Sequence, residues 1–158
     1  MAGAATDPRN TGAPWVRAAR PPKRELLVSL PPPASRTAIV DLMFIVYVVV
    51  AVLLAVVLAV SAWGKVTGDQ RVTAGFATVG VPLAWYRYLA ACEAAGALGL
   101  MVGLAIPAIG VAAAVGIILY FIGATLAHVR ARDLKGLPAP VVLLVLGVVA
   151  FIARIASM

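Results

Sequence analysis

The sequence predicts an all-α integral membrane protein: a four-helix up-and-down bundle, with a disordered, basic, proline-rich N-terminal tail ahead of it and a short interfacial helix in the first loop. Three observations predict it. Of 158 residues, 63% are hydrophobic and only 12% charged, far more apolar than a surface that must meet water. Apolar runs recur over about 42–63, 83–104, 107–127 and 138–153, each close to the roughly 20 residues that cross a bilayer. The connections between them are short, so residues 41–158 form one unit with no second domain.

Residues 1–40 differ from all that follows. Arg9, Arg17, Arg20, Lys23, Arg24 and Arg36 alternate with Pro8, Pro14, Pro21, Pro22 and Pro31 to Pro33, and such a segment buries too little apolar area to fold alone. Leu26-Leu27-Val28 is too brief for a signal-peptide core, so the tail is expected to be retained and solvated, with docking to a partner or lipid surface through Pro21-Pro22-Lys23-Arg24 as the alternative. The formal net charge of +7 lies in the tail and loops rather than in one stripe, which suits anionic lipid headgroups and gives no footprint for nucleic acid.

The first span is uncharged from Leu42 to Ala62, with Asp41 as its expected N-cap and Trp63 at an interface. Its many Val and Ile residues favour strand locally, but lipid offers no partner to an open strand's backbone, and helix follows. In the first loop Val72, Phe76 and Val79 recur at i, i+4 and i+7, the stripe of a short helix lying in the interface. Pro82 then starts the second span behind the aromatic belt of Trp85, Tyr86 and Tyr88.

Within the second span Ala91, Ala95, Gly99 and Gly103 place a small residue at every fourth position, a face for close helix packing. Pro107 restarts the chain into the third span, where Gly110, Gly116 and Gly123 extend the small-residue theme and His128, Arg130 and Arg132 meet the negative end of the helix dipole. Gly136 and Pro138 lead into the fourth span, expected to be the shortest, and Arg154 stands near its exit.

Glu93 is the carboxylate inside a membrane-length run. A charged side chain at the bilayer centre costs upward of about 2.5–3.5 kcal/mol, so it faces the bundle interior and finds a partner or becomes neutral. Two readings stand level: a proton-accepting or ligand-bonding carboxylate in a polar pocket, or a hydrogen bond locking two helices. Up-and-down topology brings Lys65 and His128 to the same end as Glu93. Both are candidate partners, although Lys65 can snorkel and a terminal histidine can sit at headgroup level. Cys92 is the only cysteine and His128 the only histidine, so neither a disulfide nor a metal-ligand set is expected, and no catalytic residue is identified.

Counting Lys and Arg gives seven on the side of both termini and six on the side of the first and third loops. A basic tail without a signal sequence is hard to translocate, which favours a cytoplasmic tail.

Ser61-Ala62-Trp63-Gly64-Lys65, then Phe76 with Val79-Gly80-Val81-Pro82, then Glu93 followed by Gly-rich apolar sequence, then Ala124 and His128, resemble in order and spacing the DoxX-like family of small four-helix bacterial membrane proteins, over about 42–152. The family takes its name from the membrane subunit of a thiosulfate:quinone oxidoreductase. The resemblance implies a multi-pass protein of the bacterial inner membrane, a subunit or anchor of a quinone- or thiol/sulfur-linked redox system rather than a self-sufficient enzyme. It also implies quinone as the cofactor to test, and a soluble or membrane redox partner beside the lipid bilayer, with oligomerisation open. Two other functions compete. One is a non-enzymatic scaffold recruiting soluble partners through tail or loops; the other, less supported without broken helices or a second intramembrane charge, is a small transporter.

Overall fold

A computed structural model describes residues 35–158, with the side chains of residues 71 and 72 excepted; the tail expected to be disordered lies, up to residue 34, outside the described residues. Five α-helices follow: α1 (Arg36–Thr67), α2 (Gln70–Thr78), α3 (Tyr86–Val102), α4 (Pro107–Arg130) and α5 (Pro138–Ala156), with a 3-10 turn, Leu83–Trp85, leading into α3.

The long helices form a closed ring: α1 packs on α3, α3 on α4, α4 on α5 and α5 back on α1, while α2 lies against α1. Each sequential neighbour runs antiparallel to the last, which is the expected up-and-down bundle. Tyr47, Leu54 and Leu58 of α1, Leu100 of α3, and Ile117 and Phe121 of α4 fill its centre. The outer faces carry exposed Ile45, Val56, Leu98, Leu119, Leu126 and Val142. Water would not tolerate so continuous an apolar exterior, and lipid does. Helices α1, α4 and α5 are each long and apolar enough to cross a membrane, and the chain is a multi-pass membrane protein.

Two helix starts differ from the sequence expectation. Helix α1 begins at Arg36, six residues before Leu42, because the Ser35 hydroxyl accepts from the Ala38 N–H at 3.4 Å and caps the helix there. Asp41 is therefore a residue of the second helical turn and not the cap. The regular part of α3 is shorter than α5: its 17 residues reach about 25 Å at 1.5 Å per residue, since Pro82 opens a 3-10 turn and the regular helix starts only at Tyr86.

The expected small-residue face of α3 packs at one end only. A Cβ on Gly99 would stand 2.7 Å from Ala113 Cβ, and one on Gly103 would collide with the Gly110 backbone and the Tyr47 hydroxyl. Here the two backbones touch. Ala91 and Ala95 are exposed instead, and a Cβ on Gly116 or Gly123 would meet nothing within 4 Å, so these positions leave space open rather than closing it.

That contrast is testable by thermal or detergent denaturation of the purified protein. Gly103→Ala should destabilise by about 1–3 kcal/mol through overpacking. Gly116→Ala, at an open helical site, should be neutral or stabilising by up to about 1 kcal/mol, the intrinsic helix preference for Ala over Gly.

Candidate functional site

Three helices deliver polar groups to one buried point near the end of the bundle where α1 finishes and α3 starts. Lys65 comes from the last turn of α1, Glu93 lies seven residues along α3 from Tyr86, and Tyr120 stands in the second half of α4. Lys65 Nζ donates to Glu93 Oε2 at 2.6 Å, with side-chain exposures of only 1% and 4%. Tyr120 donates its hydroxyl to Glu93 Oε1 at 2.9 Å. Ser61, one turn before Lys65 on the same helix, accepts from Lys65 Nζ at 2.7 Å and donates to Glu93 Oε1 at 3.3 Å. The ammonium also lies 4.9 Å from the ring centroid of Phe76 in α2, so an aromatic face covers its remaining side.

The carboxylate thus has three donors, and the ammonium has three oxygen partners, the Ser61 carbonyl at 3.5 Å being the third, and a ring. A buried ion pair offsets its desolvation only when its remaining hydrogen-bonding capacity is met in this way. The cluster can hold the Glu93 charge at membrane depth, present a phenol hydroxyl beside it, and rearrange its hydrogen bonds without bringing in a metal.

Of the spaces that adjoin the cluster, two border Glu93 itself. A cleft of about 460 Å³ runs between α3 and α4. Its floor is Leu58, Ile117 and Phe121, its rim Cys92, Ala95, Ala112 and Gly116 is exposed on the outer face, and Glu93 and Tyr120 form its polar end. It exists because the rim residues are small. A second cavity, about 150 Å³, lies on the inner side and is shared by Ser61, Lys65, Glu93, Tyr120 and His128.

His128 lines that second cavity without bonding Glu93. Its Nδ1 pairs instead with Asp133 Oδ2 at 3.0 Å, in the turn after α4. Asp133 Oδ1 accepts from the Gly136 N–H at 3.1 Å, and only glycine fits at 136, where a Cβ would strike both the Asp133 carboxylate and the His128 ring. The Gly136 amide, and then the histidine, hold the Asp133 carboxyl below the usual carboxylate range.

Of the three candidates read from sequence, Lys65 and Glu93 are in direct contact and His128 shares their cavity through its wall. Tyr120 and Ser61 complete the cluster, and sequence reasoning passed over both as site residues. Ser61 stood inside the quoted Ser61-to-Lys65 stretch, four residues before Lys65, so helical spacing could have paired the two. Tyr120 offered only the general signal that a phenol deep in a span needs an acceptor.

Residues 49–150 match the model of the DoxX-like family. No curated protein and no solved structure gives a significant match to the chain.

Removing one partner of the buried pair should cost about 3–5 kcal/mol, and removing both with apolar groups of similar volume should cost far less. A denaturation cycle over Lys65→Met, Glu93→Leu and the double variant measures this, with strong positive coupling expected. Separately, the Asp133 contribution to stability is present above the ordinary carboxylate pKa, about 3.9, and is lost as pH falls through the lower folded value. An acid-denaturation profile should therefore lose that component in Asp133→Asn.

Proposed function

Because the chain belongs to the DoxX-like family, we propose that it is a membrane subunit or anchor of a quinone- or thiol/sulfur-linked redox system, with the pocket at Glu93 receiving a lipophilic, hydrogen-bonding carrier such as a quinone. The observation that carries this reading is the cleft between α3 and α4. It opens on the apolar outer face, has an apolar floor, and ends at Glu93 and Tyr120. A flat ring with carbonyl oxygens suits that shape: its body replaces lipid against Ile117 and Phe121, and one carbonyl accepts a hydrogen bond from the Tyr120 hydroxyl. Concave, mostly apolar walls with a few convergent polar groups are what small-ligand sites share. The candidate residues are then Glu93 and Tyr120 at the ligand head, with Lys65 and His128 behind them.

The reading carries a location with it: the inner membrane of a bacterial cell, with the basic tail on the cytoplasmic side and a redox partner, soluble or membrane-bound, docking on the loops. The chain supplies the pocket and the partner supplies the electron-transfer centre.

One observation favours a second reading. The donors and acceptors of Lys65, Glu93, Ser61 and Tyr120 satisfy one another, as a lock that merely holds α1, α3 and α4 together would. In that case the protein is a non-enzymatic scaffold, and partners captured in mild detergent remain bound when Glu93 is changed to Gln.

Titrating decyl-substituted benzoquinone into the protein in nanodiscs, followed by tryptophan quenching, separates the two. Wild type should bind. Tyr120→Phe should weaken binding by up to about tenfold, the value of one hydrogen bond, and Glu93→Gln should weaken it too. Absence of saturable binding to wild type, or equal affinity in all three, overturns the quinone reading.

A further inference from the structure

The 150 Å³ space behind the ion pair is not needed to receive a ligand from lipid, yet five polar side chains converge on it. Lys65 and Ser61 enter it from α1, Glu93 from α3, and Tyr120 and His128 from α4. Helix α5 contributes Ala139, Pro140 and Leu143, and α2 contributes Phe76, none of them charged. Its volume has room for about five waters at roughly 30 Å³ each, and its hydroxyl, carboxylate, ammonium and imidazole groups supply the two to four partners a buried water needs. The cleft on the other side of Glu93 is bounded almost wholly by aliphatic, aromatic and glycine positions.

His128 joins this cavity to the solvent-facing loop. Its side chain is 16% exposed, so one ring meets both cavity and outside. Nδ1 is committed to Asp133, and Nε2 has no hydrogen-bond partner among the described residues. With Nδ1–H donating to the Asp133 carboxylate, Nε2 is the ring nitrogen left to accept a proton.

We infer that this cavity is a one-sided proton path, through which the buried Lys65–Glu93–Tyr120 cluster exchanges protons with the aqueous face bearing α2 and Asp133, with His128 as the relay. A proton leaving the cluster passes to cavity water, is taken up at His128 Nε2, and leaves the same ring for solvent while the Nδ1–H bond to Asp133 stays in place. Only O–H and N–H bonds form and break, and no oxidant or reductant is required. Asp133 is a positioning residue, and Gly136 is the position that lets it clasp the ring. The path is independent of whether the α3–α4 cleft holds a quinone, since the quinone titration and the measurements below have separate readouts.

Two measurements test it in full-length protein. In a Cys92→Ala background, a cysteine at Ala124, which lines the cavity, should react with a charged, membrane-impermeant thiosulfonate from one face of sealed vesicles. That face should be the one from which Asp133→Cys reacts. No reaction from either face, or equal reaction from both, overturns a one-sided aqueous path. Second, exchange of the Lys65 ammonium and Tyr120 hydroxyl protons with water, followed by magnetisation transfer in nanodiscs, should slow at least about tenfold in His128→Ala, a modest loss for a positioned acid–base group. Free imidazole should restore it. His128→Gln, which keeps a donor to Asp133 but has no nitrogen that can take up and release a proton, should be equally slow. Unchanged exchange, or slowing that imidazole does not rescue, overturns the relay. If neither His128 variant folds, the Ala124 accessibility still decides the path.

Discussion

The Lys65–Glu93 ion pair is the interaction on which the rest of this bundle turns. A lone carboxylate at this depth is costly, and a lone ammonium equally so. Placed 2.6 Å apart, each removes most of the other's cost, but only if α1 and α3 keep their register and if Ser61 and Tyr120 occupy the remaining hydrogen-bonding positions. Membrane helices associate without a hydrophobic drive toward one another. Such a pair therefore specifies which faces meet, and it ties three of the four spans at a single point.

The opposite end is held by different means. There α3 and α4 touch backbone to backbone at Gly103 and Gly110, Gly99 packs on the Ala113 Cβ, and the Tyr47 hydroxyl donates across to the Leu100 carbonyl at 3.1 Å. Arg154, buried near the exit of α5, is neutralised by no carboxylate among the described residues; its guanidinium lies 5.0 Å from the Tyr47 ring centroid and 5.5 Å from that of Phe44. Aromatic faces, glycine contacts and one backbone hydrogen bond make that end tight. At the ion-pair end the small residues of α3 and α4 face gaps instead. One bundle thus has a closed end and an open one, and the polar chemistry gathers at the open end.

Much of this was legible in the sequence, and the reasons for the exceptions are physical. Apolar length gave all four long helices, and the Phe76 stripe gave α2, because lipid imposes helix on any chain that enters it. Glu93 was legible as costly, and Lys65 as one of two cations that topology could bring to it. His128 was the other, and the competition between them was decided by the turn after α4: Asp133, five residues on, reaches the ring first because Gly136 leaves room. Tyr120 was hidden among Leu119, Phe121 and other apolar residues, where an aromatic reads as core. The α3 stripe was misjudged along its length because spacing tells that small residues share a face, not whether a neighbour fills the space they leave.

That last distinction bears on how the site works. The same alanines and glycines that permit contact at Gly99 and Gly103 create a cleft at Ala95 and Gly116, so packing and cavity are one sequence pattern used at two depths. Glu93 lies where the pattern changes from one use to the other. It therefore borders the cleft between α3 and α4 on one side and, on the other, the smaller space it shares with Lys65, Ser61 and His128. Tyr120, bonded to Glu93 at 2.9 Å, lines both spaces, so a turn of that one side chain alters the carboxylate's hydrogen bonding and the wall between them together. A structural lock explains the ion pair, but it does not require the lock to be flanked by two separate spaces. A site that takes a lipophilic molecule from one direction and trades protons with water in the other requires that arrangement.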